Sequence, residues 1–142
     1  MNSFWKDKKV LVTGGMGFVG SHLVQRLVDL NAKQIFVLGK THKKNDADQM
    51  SLPQKNIIVL AGDVSDKHFV ERIFKEHQFD FCFHLAAQPL VSLGDSSPLS
   101  TMEINIMGTA NILESARQYK LKGMVLASTT HVYGDNPVPF LE

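Results

Sequence analysis

Short apolar runs alternate along the chain with longer segments of helical period. Val10-Leu11-Val12 reads as a strand with no polar position, and over residues 18 to about 30 the apolar residues Val19, Leu23, Leu27 and Leu30 recur on one helical face. Ile35-Phe36-Val37-Leu38 and Ile57-Ile58-Val59-Leu60 predict the second and third strands. Residues 39–56 between them are polar and long for a compact domain, which predicts a mobile or functional loop. Residues 66–77 read as a helix with Phe69, Ile73 and Phe74 inward, and Phe81-Cys82-Phe83-His84-Leu85 as a fourth strand whose continuous apolarity suits burial on both faces. Ser97-Pro98 has the signature of a helix start, a capping hydroxyl followed by proline at the first helical position. Met102, Ile106, Ala110, Leu113 and Ala116 then repeat at helical spacing up to about Tyr119. Met124-Val125-Leu126 is the fifth strand, ending at Ala127-Ser128-Thr129.

Strands alternating with helices predict an α/β architecture. The expected form is a doubly wound, mainly parallel Rossmann sheet of about five strands with helices on both faces, spanning 1–142 as one nucleotide-binding domain. A length of 142 residues with 44% hydrophobic and 20% charged residues fits a single domain. Fifteen Lys+Arg against fourteen Asp+Glu leave a net charge of +1, which argues against a nucleic-acid partner held by phosphate contacts. One cysteine, Cys82, excludes an intramolecular disulfide framework and leaves too few thiols for a structural zinc site. No apolar run approaches the roughly 18–20 residues of a membrane helix. The lysines at 6, 8 and 9 precede Val10-Leu11-Val12 without a signal-cleavage pattern, so the expectation is a cytoplasmic setting with no membrane partner.

The chemistry begins between the first strand and first helix, at Thr13-Gly14-Gly15-Met16-Gly17-Phe18-Val19-Gly20. A turn there must reverse tightly, let a pyrophosphate approach the main chain and pack helix on strand, all without β-carbons. The helix start then offers free N–H groups and a positive dipole to phosphate. Gly15, Gly17 and Gly20 fit G-x-G-x-x-G, while Gly14, Gly17 and Gly20 are spaced evenly by three; both registers stay open, as does a glycine-rich turn without a ligand.

TGGMGFVG (13–20), GDV (62–64), HLAAQ (84–88), NIMGTANILESAR (105–117) and STTHVYG (128–134), in this order, make the sequence resemble the extended short-chain dehydrogenase/reductases, the nucleotide-sugar epimerases and dehydratases. FWKDKKVLVTG and AAQPLV (86–91) look most like the sugar-nucleotide 4,6-dehydratase branch, the CDP-glucose dehydratases in particular. The resemblance implies a nicotinamide dinucleotide, NAD or NADP, a nucleotide-sugar substrate and a homodimer in the complete enzyme. It implies that Gly14, Gly17 and Gly20, with Phe18 and Val19, form the dinucleotide turn. Asp63 would accept a hydrogen bond from the adenine amine, with Val64 beside the ring. Ala86, Ala87 and Gln88 would line the ribose and pyrophosphate side. Thr129 would stand at the catalytic Ser/Thr position, bonding the substrate hydroxyl that is oxidised, and Asn105 would be structural beside it.

The residues allow plainer readings of several positions. Asp63 is a cofactor contact or a helix-start residue, and Thr129 a substrate contact or a strand-end turn hydroxyl. His84 in its apolar strand reads as a satisfied core histidine and Cys82 as a buried core thiol. His131 reaches substrate or is a solvated loop histidine.

Three features depart from the family pattern. Where many members carry an acid after the second strand, this sequence has Leu38-Gly39-Lys40, with Lys43 and Lys44 nearby. A carboxylate there would repel a 2′-phosphate by about 1–4 kcal/mol, so its absence and Lys40 favour NADP at least as much as NAD, unless the lysines merely solvate a long loop. The position after Thr129, where dehydratases carry an acid, is Thr130. The acid–base pair for elimination is therefore incomplete, and epimerase or simple oxidoreductase chemistry stands equally. Finally, the resemblance implies a catalytic Tyr-x-x-x-Lys, which no tyrosine here satisfies: Tyr119 has Gly123 and Tyr133 has Pro137 at the fourth following position. The expectation is a cofactor-binding fragment without turnover, with an unprotected fifth strand that promotes self-association. A non-catalytic dinucleotide-binding regulatory or redox-sensing module is the alternative.

Overall fold

The structure, a computed structural model, describes residues 3–40 and 56–134, without the side chains of Ser3, Thr130 and His131. Five parallel strands form one sheet: β1 (Lys9–Thr13), β2 (Gln34–Gly39), β3 (Ile57–Ala61), β4 (Phe81–His84) and β5 (Gly123–Leu126). Their order is β3-β2-β1-β4-β5, so the chain reverses its direction of winding between β1 and β4. In open α/β sheets that switch point leaves a crevice beyond the strands' carboxyl ends. The helices are α1 (Phe18–Asp29), α2 (Lys67–His77), the short α3 (Val91–Ser96) and α4 (Pro98–Met102), and α5 (Thr109–Gln118). A π-helical segment, Glu103–Gly108, joins α4 to α5. The doubly wound sheet read from the sequence is therefore the fold, and the long polar loop, with Lys43 and Lys44, lies largely outside the described residues.

Alternation along each strand divides the core in two. Val10, Val12, Ile35 and Val37 point to α1 and pack on Val24 and Leu27. Leu11, Phe36, Leu38 and Cys82 point the other way, to Val70, Ile73 and Phe74 of α2 and Ile112 of α5. On β4, Cys82 and His84 are buried, while Phe81 and Phe83 are half-buried beside Trp5, so burial on α1's side of that strand is incomplete.

Two helical faces differ from the sequence reading. Val19 is exposed, and the inward residues of α1 are Gly20, Val24 and Leu27. Val19 lies in the first turn, beyond the sheet's edge, where helical spacing alone does not ensure cover. On the long helical stretch, Met102, Ile106, Ala110 and Leu113 face outward, and the buried positions are Gly108, Ile112 and Ser115. That stretch is apolar on two sides, and its π turn shifts the phase of residues before it against those after it. Uniform spacing therefore does not tell which stripe meets the sheet, and of the repeating positions Ala116 packs against the core. Asp66 is the residue that caps α2, its side chain accepting from the Phe69 amide at 3.0 Å. No helix among the described residues is long and apolar enough to cross a membrane.

Candidate functional site

The turn after β1 is fixed to its neighbours by main-chain bonds. The Gly14 amide donates to the Leu38 carbonyl at 2.8 Å, and the Gly17 amide to the Gly14 carbonyl at 2.9 Å. Gly14 sits at φ +68°, and a β-carbon there would lie 2.9 Å from the Ala86 nitrogen. A β-carbon on Gly20 would collide with the Gly14 carbonyl and the Gly15 main chain. Gly17 is the N-cap of α1 and supplies no side-chain cap. The turn's geometry thus distributes its roles over the evenly spaced register, with Gly15 packed separately against Val37 and Val12. Phe18 and Val19 follow, exposed at the start of α1.

Across the switch point, the segment after β4 is built to keep its shape. The Thr13 hydroxyl oxygen accepts from the amides of Leu85 at 3.2 Å and Ala86 at 3.1 Å. Asn105, in the π segment, clamps the far end: its Oδ1 accepts from the Gln88 amide at 2.7 Å and its Nδ2 donates to the Gln88 carbonyl at 3.1 Å. The Gln88 side chain is turned onto its own loop, donating to Thr101 Oγ1 at 3.0 Å and accepting from the Leu90 amide at 2.6 Å. Ala86 and Gln88 have committed their amides, so this wall offers a cleft its small side-chain surface more than its donors. Asn105 is structural, as expected of it.

Two further candidates meet at the ends of β2 and β3. Lys40 Nζ lies 2.6 Å from Asp63 Oδ2, and Asp63 Oδ1 accepts from the Ser65 amide at 3.0 Å. Partial burial pushes the Asp63 carboxyl up, but the bonds from Lys40 and Ser65 outweigh it and hold its pKa below the usual carboxylate range. Because Asp66 performs the capping, Asp63 is not spent on the helix start. Val64, expected beside an adenine ring, is only 5% exposed and packs into the core next to Gly108.

His84 is buried with both ring nitrogens bonded, Nδ1 to the Thr13 hydroxyl at 2.7 Å and Nε2 to the Thr109 hydroxyl at 3.1 Å. Cys82 is buried, and burial pushes its thiol up to about 12. Both are core residues, as their strand suggested. Thr129 lies exposed three residues beyond β5, at the same carboxyl edge, and its carbonyl accepts from the Val132 amide at 3.4 Å. The side chain of His131 lies outside the described residues. No group of His, Cys, Asp and Glu among the described residues could hold a metal ion. The sequence reading missed the Lys40–Asp63 pair and the Thr13–His84–Thr109 chain; only the four-residue spacing of Asn105 and Thr109 hinted at the second.

Comparison with known proteins agrees with this geometry. The chain is 35% identical over 130 residues to a dTDP-D-glucose 4,6-dehydratase of Dictyostelium discoideum, covering 89% of this chain and 30% of that protein. It is 34% identical to a CDP-paratose 2-epimerase of Salmonella typhi, covering 89% of this chain and 38% of the relative. The structure of a UDP-glucose 4-epimerase of Thermus thermophilus in complex with NAD superposes with a TM-score of 0.77 at 36% identity, over 92% of this chain and 41% of the other. The chain thus spans well under half the length of these relatives. The family model for GDP-mannose 4,6 dehydratase matches residues 11–142. On the strength of that match, along nearly all of a doubly wound sheet with a glycine turn at its switch point, the chain belongs to the GDP-mannose 4,6 dehydratase family.

Proposed function

We propose that this chain is the dinucleotide-binding part of an enzyme that epimerises or dehydrates a nucleotide-activated sugar by transient hydride transfer, with NAD or NADP as its cofactor. The observation that carries the reading is the start of α1: no side chain caps it, and the turn leading to it is packed so closely that β-carbons at Gly14 and Gly20 would strike main chain. Such a helix start binds a diphosphate through bare amides. The NAD-bound relative supports the choice of ligand.

In this reading Gly14, Gly17, Phe18, Val19 and Gly20 hold the pyrophosphate. Asp63 faces the adenine, Lys40 the adenosine ribose, and Ala86, Ala87 and Gln88 the opposite wall. When bound, the nicotinamide ring accepts and returns the hydride. Thr129 holds the hydroxyl of the reacting sugar carbon through its own hydroxyl. Gly39 brings no carboxylate of its own to the ribose and Lys40 is cationic, which favours NADP, while the Asp63 carboxylate paired with Lys40 opposes a 2′-phosphate, so the cofactor is NAD or NADP. No tyrosine in the chain has a lysine four residues on, so the 142 residues bind dinucleotide with negligible turnover.

Calorimetric titration of the folded chain with NAD and with NADP tests the proposal. Saturable binding of one or both, weakened by Gly20→Ala, is the expected result. Folded chain that takes up neither overturns it.

A further inference from the structure

The hydrogen bonds around His84 favour one placement of their protons. Main-chain amides only donate: the Ala86 amide donates to the Thr13 hydroxyl oxygen at 3.1 Å, and the Leu85 amide divides its proton between that oxygen at 3.2 Å and the Thr13 carbonyl at 3.1 Å, so the hydroxyl oxygen is already an acceptor. Its own proton then goes to His84 Nδ1, 2.7 Å away, which is bare in this placement. The ring proton is on Nε2 and is donated to Thr109 Oγ1 at 3.1 Å. Thr109 passes its hydroxyl proton to the Asn105 carbonyl at 2.8 Å. Every bond runs the same way, from the loop after β4 through Thr13, His84 and Thr109 to the π turn. Bonds aligned head to tail in a buried site polarise and strengthen one another. Asn105 returns the connection to the loop by its two bonds to Gln88.

We propose that His84, held as the neutral Nε2–H tautomer, is a positioning residue that sets the glycine-rich turn, the Leu85–Gln88 wall and the π turn as one unit, so that the two sides of the cleft keep a fixed separation. Thr13 immediately precedes Gly14, and Thr109 immediately follows the π segment that carries Asn105. The imidazole spans the gap between them at the topological switch point. An aliphatic residue would fill the same volume without fixing either threonine's rotamer. The inference rests on the proposed dinucleotide site for its affinity arm alone.

The test is made on the 142-residue chain labelled with 15N at histidine. Long-range 1H–15N spectra of the folded wild type are expected to show His84 with Nδ1 unprotonated and Nε2 protonated; the opposite tautomer or an imidazolium at neutral pH overturns the proposal. Thr109→Val removes the acceptor of Nε2–H, and Thr109→Ser keeps it. The valine variant is expected to shift the amide resonances of Gly14 and Ala86, on the far side of the ring, and to weaken dinucleotide binding about fivefold, the equivalent of one neutral hydrogen bond. The serine variant restores both. Shifts confined to residues 105–113, with Gly14 and Ala86 unmoved, would make His84 a space-filling residue and overturn the proposal. Should the valine variant fail to fold, the wild-type tautomer and the Gly14 and Ala86 resonances of Thr109→Ser still decide. If the wild type binds no dinucleotide, the reading of the site fails, while the tautomer and resonance arms judge the positioning role independently.

Discussion

Lys40 and Asp63 are far apart in sequence, yet their side chains meet at 2.6 Å where β2 and β3 end side by side. In the proposed dinucleotide site the pair would join two selections, one at the ribose and one at the base. A 2′-phosphate would compete with Asp63 for the same ammonium. Asp63→Asn is therefore expected to strengthen NADP binding and weaken NAD binding, because it frees Lys40 and removes a nearby negative charge. Lys40→Ala is expected to weaken NADP the more. Each change should be on the order of three- to tenfold, since a partly exposed pair is worth about 1 kcal/mol. Titration of the two variants with both cofactors gives the four affinities, and equal effects on NAD and NADP would refute the coupling.

How much of this was readable beforehand depended on the range of the interaction. The strands and the turn were legible because each is written locally, as in Val10-Leu11-Val12 followed by glycines at 14, 17 and 20. The outward placement of Ile106 and Leu113 was not, because a helix apolar on two sides carries no mark of which one meets the sheet. The π turn compounds this, since nothing in Glu103-Ile104-Asn105 announces an extra residue per turn. Lys40–Asp63 and Thr13–His84 join residues brought together by strand order alone, and strand order is a property of the whole chain.

Replacing Gly14 by alanine forces a β-carbon into a left-handed conformation, which costs about 1–2 kcal/mol before any contact is counted. The neighbouring main chain at Ala86 adds to this. Urea denaturation is expected to show at least that loss of stability. Alanine at Val19, which is exposed and has no such constraint on its backbone, should be much closer to wild type.

Stability should fall as the solution is acidified through the range of histidine. Burial holds the His84 imidazole below its usual 6.5, so the unfolded chain takes up a proton there that the folded chain does not. The contribution is complete above that value and is lost progressively beneath it. The carboxyls of Asp63 and Asp80, also held low, act only below about their usual 3.8, so the two windows separate. Denaturation midpoints measured from about pH 7.5 to about pH 5 are expected to decline for wild type and to decline less for His84→Gln, which starts from lower stability. Parallel slopes for the two proteins would show that His84 does not contribute.

Cys82 should be silent toward alkylating reagents in the folded chain. Its thiol is enclosed and pushed up to about 12, so at about pH 8 almost no thiolate forms and none is accessible. Iodoacetamide labelling followed by mass spectrometry is expected to modify the protein in concentrated urea and leave it unmodified in buffer. Equal labelling rates in the two conditions would place Cys82 outside the core.

Asp63 and Asp66 are close neighbours in sequence, and the labour between them is divided: Asp66 secures the beginning of α2, while Asp63 is tied to Lys40 and the Ser65 amide. Under the proposed function, scaffold and selectivity are thereby uncoupled at this corner. Mutation at 63 can retune what the crevice admits without unravelling the helix behind it, and descendants of such a chain can explore new preferences on an unchanged frame.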